Sequence, residues 1–394
     1  MTCYEDLKWR GLIQDISDEA LIDKLNNGKL TFYIGTDPTA DSLHIGHYSS
    51  FLISKRLAKY GHRPLLLIGG ATGLIGDPKP TAERPMISYE QVENNIKGLT
   101  KQAKEIFGFE VVNNYDWTKD INVIDFLRDY GKYFNVGYML AKDKVRSRME
   151  VGITYAEFSY MILQALDFMH LYENYDCTLQ VAGSDQWGNI TAGIELIRKK
   201  LGKEVYGMVM PLVTDSNGVK FGKTEGNALW LDKEKTSSYD LYQYLINLED
   251  SMIISYLKTL TFLSKEEIEE IEKQHKEKPE LRVAQKTLAY EIIKDIHGEE
   301  EAKKAKEKSE ALFGKMDTNA LEEESIEASV GSTILDVLTI SNLASSKSEA
   351  RRLVEQGGVK IDEEKITDPN YTVDKEVVVI QKGKKAFKKV KLTK

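Results

Sequence analysis

The chain has 394 residues and a formal net charge of -8, with 41% hydrophobic and 29% charged residues. This is the composition of an ordinary globular protein, and at roughly 150 residues per domain the length predicts two or three domains. The acidic balance argues against coating of nucleic acid by the whole chain. No apolar run reaches the roughly 20 residues of a membrane helix.

The N-terminus and the cysteines disfavour other classes of protein. Residues 1–10 carry Glu5 and Asp6 and have no apolar core, unlike a signal peptide. Cys3 and Cys177 are far apart and no CxxC motif occurs, so neither a zinc cluster nor a disulfide framework is indicated. We expect a reducing, cytoplasmic location and no metal site.

Strand and helix patterns alternate in the first half of the chain. Apolar runs over 30–34 and 64–68 predict buried strands that glycines close, and 49–60 predicts a helix between them. Strand, helix and strand with glycines at the strand exits is typical of a parallel βαβ unit. Further elements are expected as helices over 126–138, 157–172 and 189–200 and as a strand over 179–181.

The second half changes character. Asn-Gly predicts a hairpin turn over 213–219, and the segment 237–315 is helical, with a capping box from Ser264 to Glu267. Residues 316–330 are acidic and poor in apolar residues, which predicts a linker.

The last segment, 331–394, restarts with its own pattern. A second capping box over 346–349 opens a helix that Gly357 and Gly358 end, and strands are expected over 359–361 and 376–380. This segment has a net charge of +4, whereas the rest of the chain carries -12. Such asymmetry suggests contact with a polyanion, although a lysine-rich tail that merely aids solubility is an equally good interpretation.

Two motifs have the chemistry of phosphate binding. His44 and His47 follow a predicted strand and open a helix, where free N–H groups and the positive dipole end favour anions. A metal-binding pair and an incidental pair are the alternatives. The segment 220–224, Lys-Phe-Gly-Lys-Thr, forms a cationic loop that could close on a pyrophosphate leaving group.

A polar stripe lies on the predicted helix 157–172. Tyr160, Gln164 and Asp167 are spaced at i, i+4 and i+7 and therefore share one face. Such a stripe needs hydrogen-bond partners once it is buried, and on spacing alone a hydrogen-bonded core network is the better interpretation. Asp77, which follows a glycine-rich stretch, suits an ammonium partner.

Taken together, these motifs resemble the class I aminoacyl-tRNA synthetases and specifically the bacterial tyrosyl-tRNA synthetase family. The resemblance covers essentially the whole chain. It implies a Rossmann-type parallel-sheet catalytic domain over 1–236 that includes the lysine motif, an α-helical domain over 237–315, and a small α+β S4-like RNA-binding domain over 331–394. The motifs that carry it are HIGH at 44–47, KFGKT at 220–224, the run YIGTDPTADSL at 33–43, GGATGLIGDP at 69–78 and GSDQWGNIT at 183–191.

The resemblance also implies an activity. L-tyrosine is activated with ATP, accompanied by Mg²⁺, to tyrosyl-adenylate and pyrophosphate, and tyrosine is then transferred to the 3′-terminal ribose of tRNA(Tyr). It implies a cytoplasmic homodimer with no tightly bound cofactor and no membrane partner.

Roles for individual residues follow from the same resemblance. Tyr160 and Gln164, with Asp77, hold the substrate ammonium, while Asp167 and Tyr33 bind the phenolic hydroxyl and Gln186 lies beside the adenylate in the tyrosine subsite. The groups that act on the phosphates are His44, His47, Lys220, Lys223, Thr224 and Arg84, with Lys79 in place of the family's mobile-loop lysine. The residues near ATP are Gly35, Asp37, Thr39, Gly46, Gly183, Asp185, which binds the ribose, and Lys223. The expected tRNA contacts are Arg351, Arg352, Lys384, Lys385 and Lys388.

Three other functions are compatible with parts of this pattern. A tryptophanyl-tRNA synthetase shares the scaffold but has no use for Asp167 and Tyr33 aimed at a phenolic hydroxyl. A nucleotidylyltransferase with a HIGH-type motif is disfavoured by the C-terminal module. A catalytically silent RNA-binding protein is disfavoured by the intact motif residues, which are His44, His47, Lys220 and Lys223.

Overall fold

The computed structural model describes residues 1–78, 87–149, 152–222, 228–313, 323–362, 364–383 and 386–393. The chain forms two compact units, Met1–Glu299 and Glu300–Lys394. Within the described ranges, no helix is both long and apolar enough to cross a membrane.

The first unit is built around a six-stranded sheet. Its strands, in chain order, are β1 Asp15–Ile16, β2 Thr31–Thr36, β3 Arg63–Ile68, β4 Glu110–Asn113, β5 Cys177–Gly183 and β6 Tyr206–Met210. They lie in the order β1-β6-β5-β2-β3-β4. All neighbours are parallel except β1, which is antiparallel to β6. The predicted parallel sheet is confirmed.

Helices connect and cover these strands. The chain-order helices of this part are α1 Cys3–Trp9, α2 Ala20–Asn27, α3 Ile45–Lys59, α4 Thr72–Ile75, α5 Tyr89–Phe107, α6 Tyr115–Thr118, α7 Val123–Asp125, α8 Val136–Leu140, α9 Asp143–Arg146, α10 Tyr155–Tyr175 and α11 Trp187–Leu201. Leu65, Leu66, Phe168 and Leu179 are fully buried, so the core lies on the sheet.

The strand order fixes where a ligand can bind. From β2 the chain continues to β3 and β4 on one side of the sheet, whereas β5 and β6 are added on the other side. In open parallel sheets such a reversal leaves a crevice at the carboxyl ends of the two strands. Here that crevice lies between the ends of β2, at Thr36, and of β5, at Gly183.

The rest of the first unit is helical, and it continues into the second. These helices are α12 Ser238–Ile246, α13 Ile253–Leu260, α14 Lys265–Glu277, α15 Val283–His297 and α16 Glu299–Phe313. The predicted capping box is confirmed, because Ser264 and Glu267 each accept the other's backbone N–H. The sheet and most of the segment 237–315 fall in one compact unit, and the boundary at residue 236 stays a prediction.

Helix α3 is attached to the helical segment by polar contacts. The Tyr48 hydroxyl lies 3.2 Å from the Asp295 carboxylate on α15 and donates to the carbonyl of Leu260 at 3.3 Å. Lys55 pairs with Asp295 at 2.5 Å. The guanidinium of Arg56 donates to carbonyl oxygens at the end of α13. Helix α3, which carries the histidine motif, is therefore fixed by contacts with α13 and α15.

The second unit contains a five-stranded sheet and two further helices. Its elements are β7 Glu323–Ile326, α17 Ile334–Ile340, α18 Lys347–Glu355, β8 Val359–Ile361, β9 Glu364–Ile366, β10 Val377–Lys382 and β11 Ala386–Leu392. The strand order is β7-β11-β10-β8-β9, with only the β7–β11 pair parallel. Its separate core includes the fully buried Ile334, Val337, Val354, Ile380 and Val390. The predicted α+β module is confirmed.

Two expectations about secondary structure were wrong. The segment 316–330 is not all linker, because β7 lies within it and pairs with β11. The helix expected over 126–138 is a π-turn over Phe126–Tyr130, a 3₁₀ turn over Gly131–Tyr133 and then α8. Asn135 starts α8 by accepting the N–H of Tyr138, which separates it from the turns before it.

The second capping box is also different from expectation. Ser346 caps α18 by accepting the N–H of Glu349, but the Glu349 carboxylate accepts from the N–H and hydroxyl of Ser345 instead of from Ser346. The helix ends at Glu355, just before Gly357, as predicted.

Candidate active site

The histidine motif caps α3 through its own side chains. Nδ1 of His44 accepts the N–H of Gly46 at 3.0 Å, and Nδ1 of His47 accepts the N–H of His44 at 3.2 Å. The two ring centroids are 3.9 Å apart. Because both Nδ1 atoms act as acceptors, each neutral ring carries its proton on Nε2. Both histidines can therefore donate a hydrogen bond from Nε2.

The charge state of His47 follows from its surroundings. Burial, with a smaller contribution from His44, lowers the pKa of His47 to about 3. At neutral pH this ring is therefore an uncharged donor. The N–H groups of Ile45, Gly46 and His47 are already hydrogen-bonded within the protein. The Nε2 donor of His47 and the positive dipole end of α3 are therefore what suits this place to a phosphate oxygen.

The described part of the lysine motif, residues 220–222, lies directly against the histidine motif. Phe221 is buried and packs on Tyr244 and Tyr256, with centroids 6.0 and 5.1 Å away. A side chain on Gly222 would come within 2.1 Å of Ile45, and Gly222 has a φ of +79°. The structure thus brings the two motifs together, with glycine at the point of closest approach.

Both motifs line one cavity of about 480 Å³. Its walls include His44, Gly46, His47, Gly183 and Lys220. The expected hairpin before the lysine motif is present as a turn, with a bridge between Thr214 and Lys220. Four residues expected near the phosphates, Lys79, Arg84, Lys223 and Thr224, lie outside the described residues.

A second cavity of about 270 Å³ adjoins the first, and the two share His47, Ser50 and Gly183. The residues expected for tyrosine and most of those expected for ATP line it together: Tyr33, Gly35, Asp37, Thr39, Asp77, Tyr160, Gln164, Asp167, Gly183 and Gln186. It opens at the crevice between the carboxyl ends of β2 and β5, where the sheet topology places a ligand.

One end of this second cavity is formed by Tyr33 and Asp167. Tyr33 is 1% exposed, and its hydroxyl has no hydrogen-bond partner among the described residues. The Asp167 carboxylate accepts from Asn114 Nδ2 and from Trp117 Nε1, both at 2.9 Å. A buried polar atom without a partner is costly, so this end of the cavity suits a ligand that carries a hydroxyl group.

The titration of these two groups is strongly shifted. Burial raises the pKa of Asp167 to about 7, against the hydrogen bonds from Asn114 and Trp117, which lower it. Burial and the nearby Asp167 raise the pKa of Tyr33 well above its usual range. Tyr33 is therefore a neutral phenol at neutral pH, while Asp167 is poised between its acid and carboxylate forms.

The opposite side of the cavity is a polar network around Asp77. Its carboxylate accepts from Gln186 Nε2 at 3.0 Å and from Asn189 Nδ2 at 3.2 Å, and it pairs with the ammonium of Lys144. Asn189 Nδ2 also lies 2.9 Å from the side-chain oxygen of Gln164. Asp77 and Gln164, expected to hold an ammonium group, are therefore connected through Asn189.

Tyr160 was expected to act with Gln164 and Asp77, but its hydrogen-bond partner is Asp37. Its hydroxyl donates to Asp37 at 3.1 Å, and Asp37 also accepts from Thr72 at 2.9 Å. Burial, with Asp37 and Asp77 nearby, raises the pKa of Tyr160 well above its usual range. Tyr160 thus joins the part of the site expected for the ammonium to the part expected for ATP.

Several site residues were missed by sequence reasoning. Asn114 and Trp117 donate hydrogen bonds to Asp167. Asn189 connects Asp77 with Gln164. Lys144 forms an ion pair with Asp77. Asn114 follows directly after β4, and polar residues at the carboxyl ends of parallel strands meet at the ligand edge of the sheet. That position was the available signal, but β4 was not among the predicted strands.

The expected RNA contacts lie in the second unit. Arg351 and Arg352 are exposed on α18, and Arg351 is 3.9 Å from Glu355. Lys388 lies on β11, while Lys384 and Lys385 are outside the described residues. Among the described side chains, there is no group of three or more His, Cys, Asp or Glu residues placed to hold a metal ion.

A parallel sheet with paired histidine and lysine motifs at its crevice defines a class I synthetase catalytic domain. Residues 25–314 match the family model described as tRNA synthetases class I (W and Y), and residues 334–379 match the S4 domain model. The chain therefore belongs to the class I tRNA synthetase family for tryptophan and tyrosine (W and Y), and it carries a C-terminal S4 domain.

Relatives at high identity are tyrosyl enzymes. The chain is 57% identical over 298 residues to tyrosine--tRNA ligase 2 of Streptococcus thermophilus, covering 76% of this chain and 98% of that protein. A C-terminally truncated mitochondrial tyrosyl-tRNA synthetase of Aspergillus nidulans has a similar structure, with a TM-score of 0.71 and 33% identity over 79% of this chain and 94% of that one.

The fold by itself does not distinguish the two amino acids. A tryptophanyl-tRNA synthetase from Encephalitozoon cuniculi, bound to tryptophan, shares the fold with a TM-score of 0.56 at 15% identity, covering 77% of this chain and 87% of that one. The choice between tyrosine and tryptophan therefore depends on the residues of the site.

Proposed function

We propose that this chain is a tyrosine--tRNA ligase. It activates L-tyrosine with ATP and transfers the tyrosyl group to the 3′-terminal ribose of tRNA(Tyr). The observation that carries the proposal is the buried pair Tyr33 and Asp167, in which the Tyr33 hydroxyl has no partner among the described residues. The identity of 57% to a tyrosine--tRNA ligase supports the same choice.

The pair selects its ligand by hydrogen bonding. A tyrosine phenol donates to the Asp167 carboxylate and accepts from the Tyr33 hydroxyl, so all three groups are satisfied. An indole N–H can donate but cannot accept, and a phenylalanine ring can do neither. Both leave buried polar groups unpaired, which costs binding energy. Asp77, with Gln164 and Tyr160, is assigned to the substrate ammonium.

The assigned groups support in-line transfer. An oxygen of the tyrosine carboxylate attacks the α-phosphorus of ATP, the bond from that phosphorus to the pyrophosphate oxygen breaks, and tyrosyl-adenylate forms. His44 and His47 donate from Nε2 to phosphate oxygens, and Lys220 adds positive charge at the same cavity. The roles of Arg84, Lys223 and Thr224 in this step remain predictions. So does the role of Lys79 as the mobile-loop lysine.

The second step needs no protein nucleophile. A hydroxyl of the tRNA terminal ribose attacks the acyl carbon, the bond to the adenylate oxygen breaks, and AMP leaves. We assign Gly35, Asp37, Thr39, Gly46 and Gly183 to the nucleotide, and Asp185 to its ribose. Catalysis in both steps is positioning and charge stabilisation. Mg²⁺ is proposed to enter with the ATP phosphates, since it is usually bound through substrate phosphates.

The domains are assigned to these tasks as follows. Residues 1–236 form the catalytic domain, residues 237–315 the helical domain, and the S4 domain binds tRNA through Arg351, Arg352, Lys384, Lys385 and Lys388. Because β7 pairs with β11, we extend that RNA-binding module to include β7. A cytoplasmic location is proposed because ATP and tRNA are available there.

We further propose that the enzyme is a homodimer. The segment 123–155 exposes an unusual number of large apolar side chains, and such exposure marks interaction surfaces. They are Val123, Ile124, Leu127, Val136, Tyr138, Met149 and Tyr155, which are 42–69% exposed. Light scattering coupled to gel filtration should give twice the chain mass of 44.7 kDa, and Leu127→Asp should shift the mass toward the monomer. A wild-type monomer would refute the proposal.

ATP–pyrophosphate exchange tests the central assignment. Exchange should be supported by L-tyrosine and not by L-tryptophan or L-phenylalanine at equal concentration. Exchange with tryptophan alone would indicate the tryptophanyl activity of the same family. No exchange with any of them, together with tight tRNA binding, would favour a catalytically silent RNA-binding protein.

A further inference from the structure

A lysine of the chain occupies the carboxylate assigned to the substrate ammonium. Lys144, on the one-turn helix α9, places its Nζ against Asp77 and 3.6 Å from Asp185. Asp77 is 7% exposed, and two of its hydrogen-bond donors, Gln186 and Asn189, are neutral amides. Lys144 therefore brings a positive charge to a buried carboxylate, which is costly to leave uncompensated.

The lysine ammonium and the α-ammonium of an amino acid have the same chemistry. Each carries a full positive charge and donates hydrogen bonds to a carboxylate. With Lys144 in place, a second ammonium at Asp77 would meet a like charge in a partly desolvated site. The two groups cannot share Asp77 without strong repulsion. Tyrosine and Lys144 must therefore compete for it.

Release of the lysine is possible because of where it lies. The Lys144 side chain is 24% exposed, so it has a route to water, whereas Asp77 is held by the network of Gln186 and Asn189. Asp185, which is more exposed than Asp77, gives a second carboxylate that Lys144 already approaches. The lysine can leave while the carboxylate stays.

We propose that the Lys144 ammonium takes the place of the substrate ammonium at Asp77. It pairs with Asp77 when no amino acid is bound and is displaced when tyrosine binds. This rests on the proposed function, since it deepens the assignment of Asp77 to the tyrosine ammonium. The displacement lowers the affinity for tyrosine, but a ligand with no ammonium group leaves Lys144 in place and binds without that penalty.

A cycle of two proteins and two ligands isolates this competition. The proteins are the wild type and Lys144→Met, which keeps the length of the side chain and removes its charge. The ligands are L-tyrosine and 3-(4-hydroxyphenyl)propionate, which has the same phenol and carboxylate without the ammonium. Dissociation constants are measured by calorimetry on the full chain.

The expected change in affinity differs between the two ligands. Lys144→Met should bind tyrosine about tenfold more tightly, because the cation that competes for Asp77 is gone. It should bind the propionate no better than the wild type does. Equal changes for both ligands, or weaker tyrosine binding in the variant, would overturn the proposal. Failure of the wild type to bind tyrosine would instead refute the proposed function.

Lys142→Met is the matched control. Lys142 lies two residues earlier and is also half-buried, but its Nζ contacts the hydroxyl oxygens of Tyr138 and Thr191 instead of a carboxylate. It should leave the ratio of the two affinities unchanged. A change as large as that of Lys144→Met would show that the effect does not come from Asp77.

A measurement on the wild type covers the case in which the variant does not fold. Reductive methylation of lysines, followed by peptide mass spectrometry, reports how accessible Lys144 is. Tyrosine should increase the methylation of Lys144, and the propionate should not. Protection of Lys144 by tyrosine would mean that the lysine stays in the occupied site, and the proposal would be wrong.

Discussion

The Tyr33 hydroxyl and the Asp167 carboxylate line the same end of one cavity, but only the carboxylate is paired. Asp167 accepts from Asn114 and Trp117 at 2.9 Å each, while the Tyr33 hydroxyl has no partner among the described residues. Asp167 lies close enough to Tyr33 to contribute to its raised pKa. The Tyr33 hydroxyl is therefore an unsatisfied group of this cavity that a substrate hydroxyl would satisfy.

Replacing Tyr33 with phenylalanine should separate recognition from stability. Tyr33→Phe removes a hydroxyl without a partner, so the free energy of unfolding should not fall. Tyrosine affinity should fall by about 2- to 10-fold, the equivalent of one hydrogen bond of roughly 0.5–1.5 kcal/mol. Discrimination against phenylalanine in pyrophosphate exchange should fall with it. Calorimetry, chemical denaturation and exchange measure the three quantities.

Tyr48→Phe is the matched control for this change. Tyr48 is equally buried, but its hydroxyl contacts Asp295 and donates to the carbonyl of Leu260. That variant should lose roughly 1 kcal/mol of stability and keep its selectivity for tyrosine. If Tyr33→Phe destabilises the protein as much as Tyr48→Phe does, the Tyr33 hydroxyl is paired after all.

Tyrosine binding should depend on pH through Asp167. Its pKa is raised to about 7 by burial, and a tyrosine phenol donates to the carboxylate form. Affinity should therefore rise with pH up to about 7 and level off above it, and it should fall by up to about tenfold per unit below that value. Dissociation constants measured between pH 5.5 and 8 test this. Asp167→Asn should remove the dependence, and a flat wild-type profile would contradict the assignment.

The raised pKa of Asp167 also makes the free energy of unfolding depend on pH. The pKa of Asp167 is raised above its unfolded value, so the folded protein holds this proton more tightly than the unfolded chain does. The contribution of Asp167 to stability is full below the unfolded pKa, which is about 4, and is lost as pH rises through about 7. Tyrosine should offset part of this loss, since it supplies a hydrogen bond to the ionised carboxylate.

Local patterns predicted much of this fold, and non-local contacts explain what they missed. The apolar runs of β2 and β3, closed by glycines, were sufficient to predict a parallel sheet. The spacing of Tyr160, Gln164 and Asp167 placed them correctly on one side of α10, because helix periodicity is a local property. By contrast, β7 is acidic and depends on pairing with β11, a partner more than 60 residues away.

In the candidate active site, too, local sequence patterns were predictable and non-local contacts were not. The sequence predicted Asp77 as a carboxylate for an ammonium, but it could not predict Lys144 as the cation that occupies it. Helix α9 has only four residues, too few for a periodic signal, and the ion pair joins residues 67 positions apart. The unpaired hydroxyl of Tyr33 is likewise a property of packing, since no sequence pattern shows which groups remain without partners.

Two variants of His44 should separate its capping role from its role at the phosphates. Nδ1 of His44 caps α3 by accepting the N–H of Gly46. Asparagine can accept the same bond, so His44→Asn should keep the stability, while His44→Ala should lose roughly 1 kcal/mol. Both lose the Nε2 donor, so both should slow tyrosyl-adenylate formation strongly with little effect on tyrosine binding. Pre-steady-state adenylate formation and thermal unfolding measure these effects.

The outcome for His44→Asn decides the assignment. A normal rate of adenylate formation in this variant would mean that His44 acts only as a helix cap. A slow rate with unchanged stability would support donation from Nε2 to the phosphates.

Charge reversal on α18 should impair tRNA charging without affecting activation. Arg351 and Arg352 are exposed, and the S4 domain is assigned to tRNA. The double variant Arg351→Glu, Arg352→Glu should raise the KM for tRNA and reduce the salt slope of binding by about 1 per lost phosphate contact. Pyrophosphate exchange should be unchanged. The double variant Lys97→Glu, Lys101→Glu, at two exposed sites on α5 of the first unit, is the charge-matched control. An equal effect there would indicate a general loss of positive charge.

A methyl group at Gly222 should disturb the contact between the two motifs. Its Cβ would lie 2.1 Å from Ile45 Cγ2, and Ile45 is fully buried at the start of α3. Gly222→Ala should therefore slow adenylate formation by shifting the lysine motif away from His44 and His47, while tyrosine affinity stays the same.

Gly218→Ala controls for backbone strain in this experiment. Gly218 has the same φ of +79° as Gly222, but nothing lies within 4 Å of its Cβ position. Both variants put alanine in a left-handed conformation at a cost of roughly 1 kcal/mol, and only Gly222→Ala adds the clash with Ile45. If the two variants slow adenylate formation equally, strain alone explains the effect. A larger effect at Gly222 would mean that activation depends on close contact between the lysine motif and the start of α3.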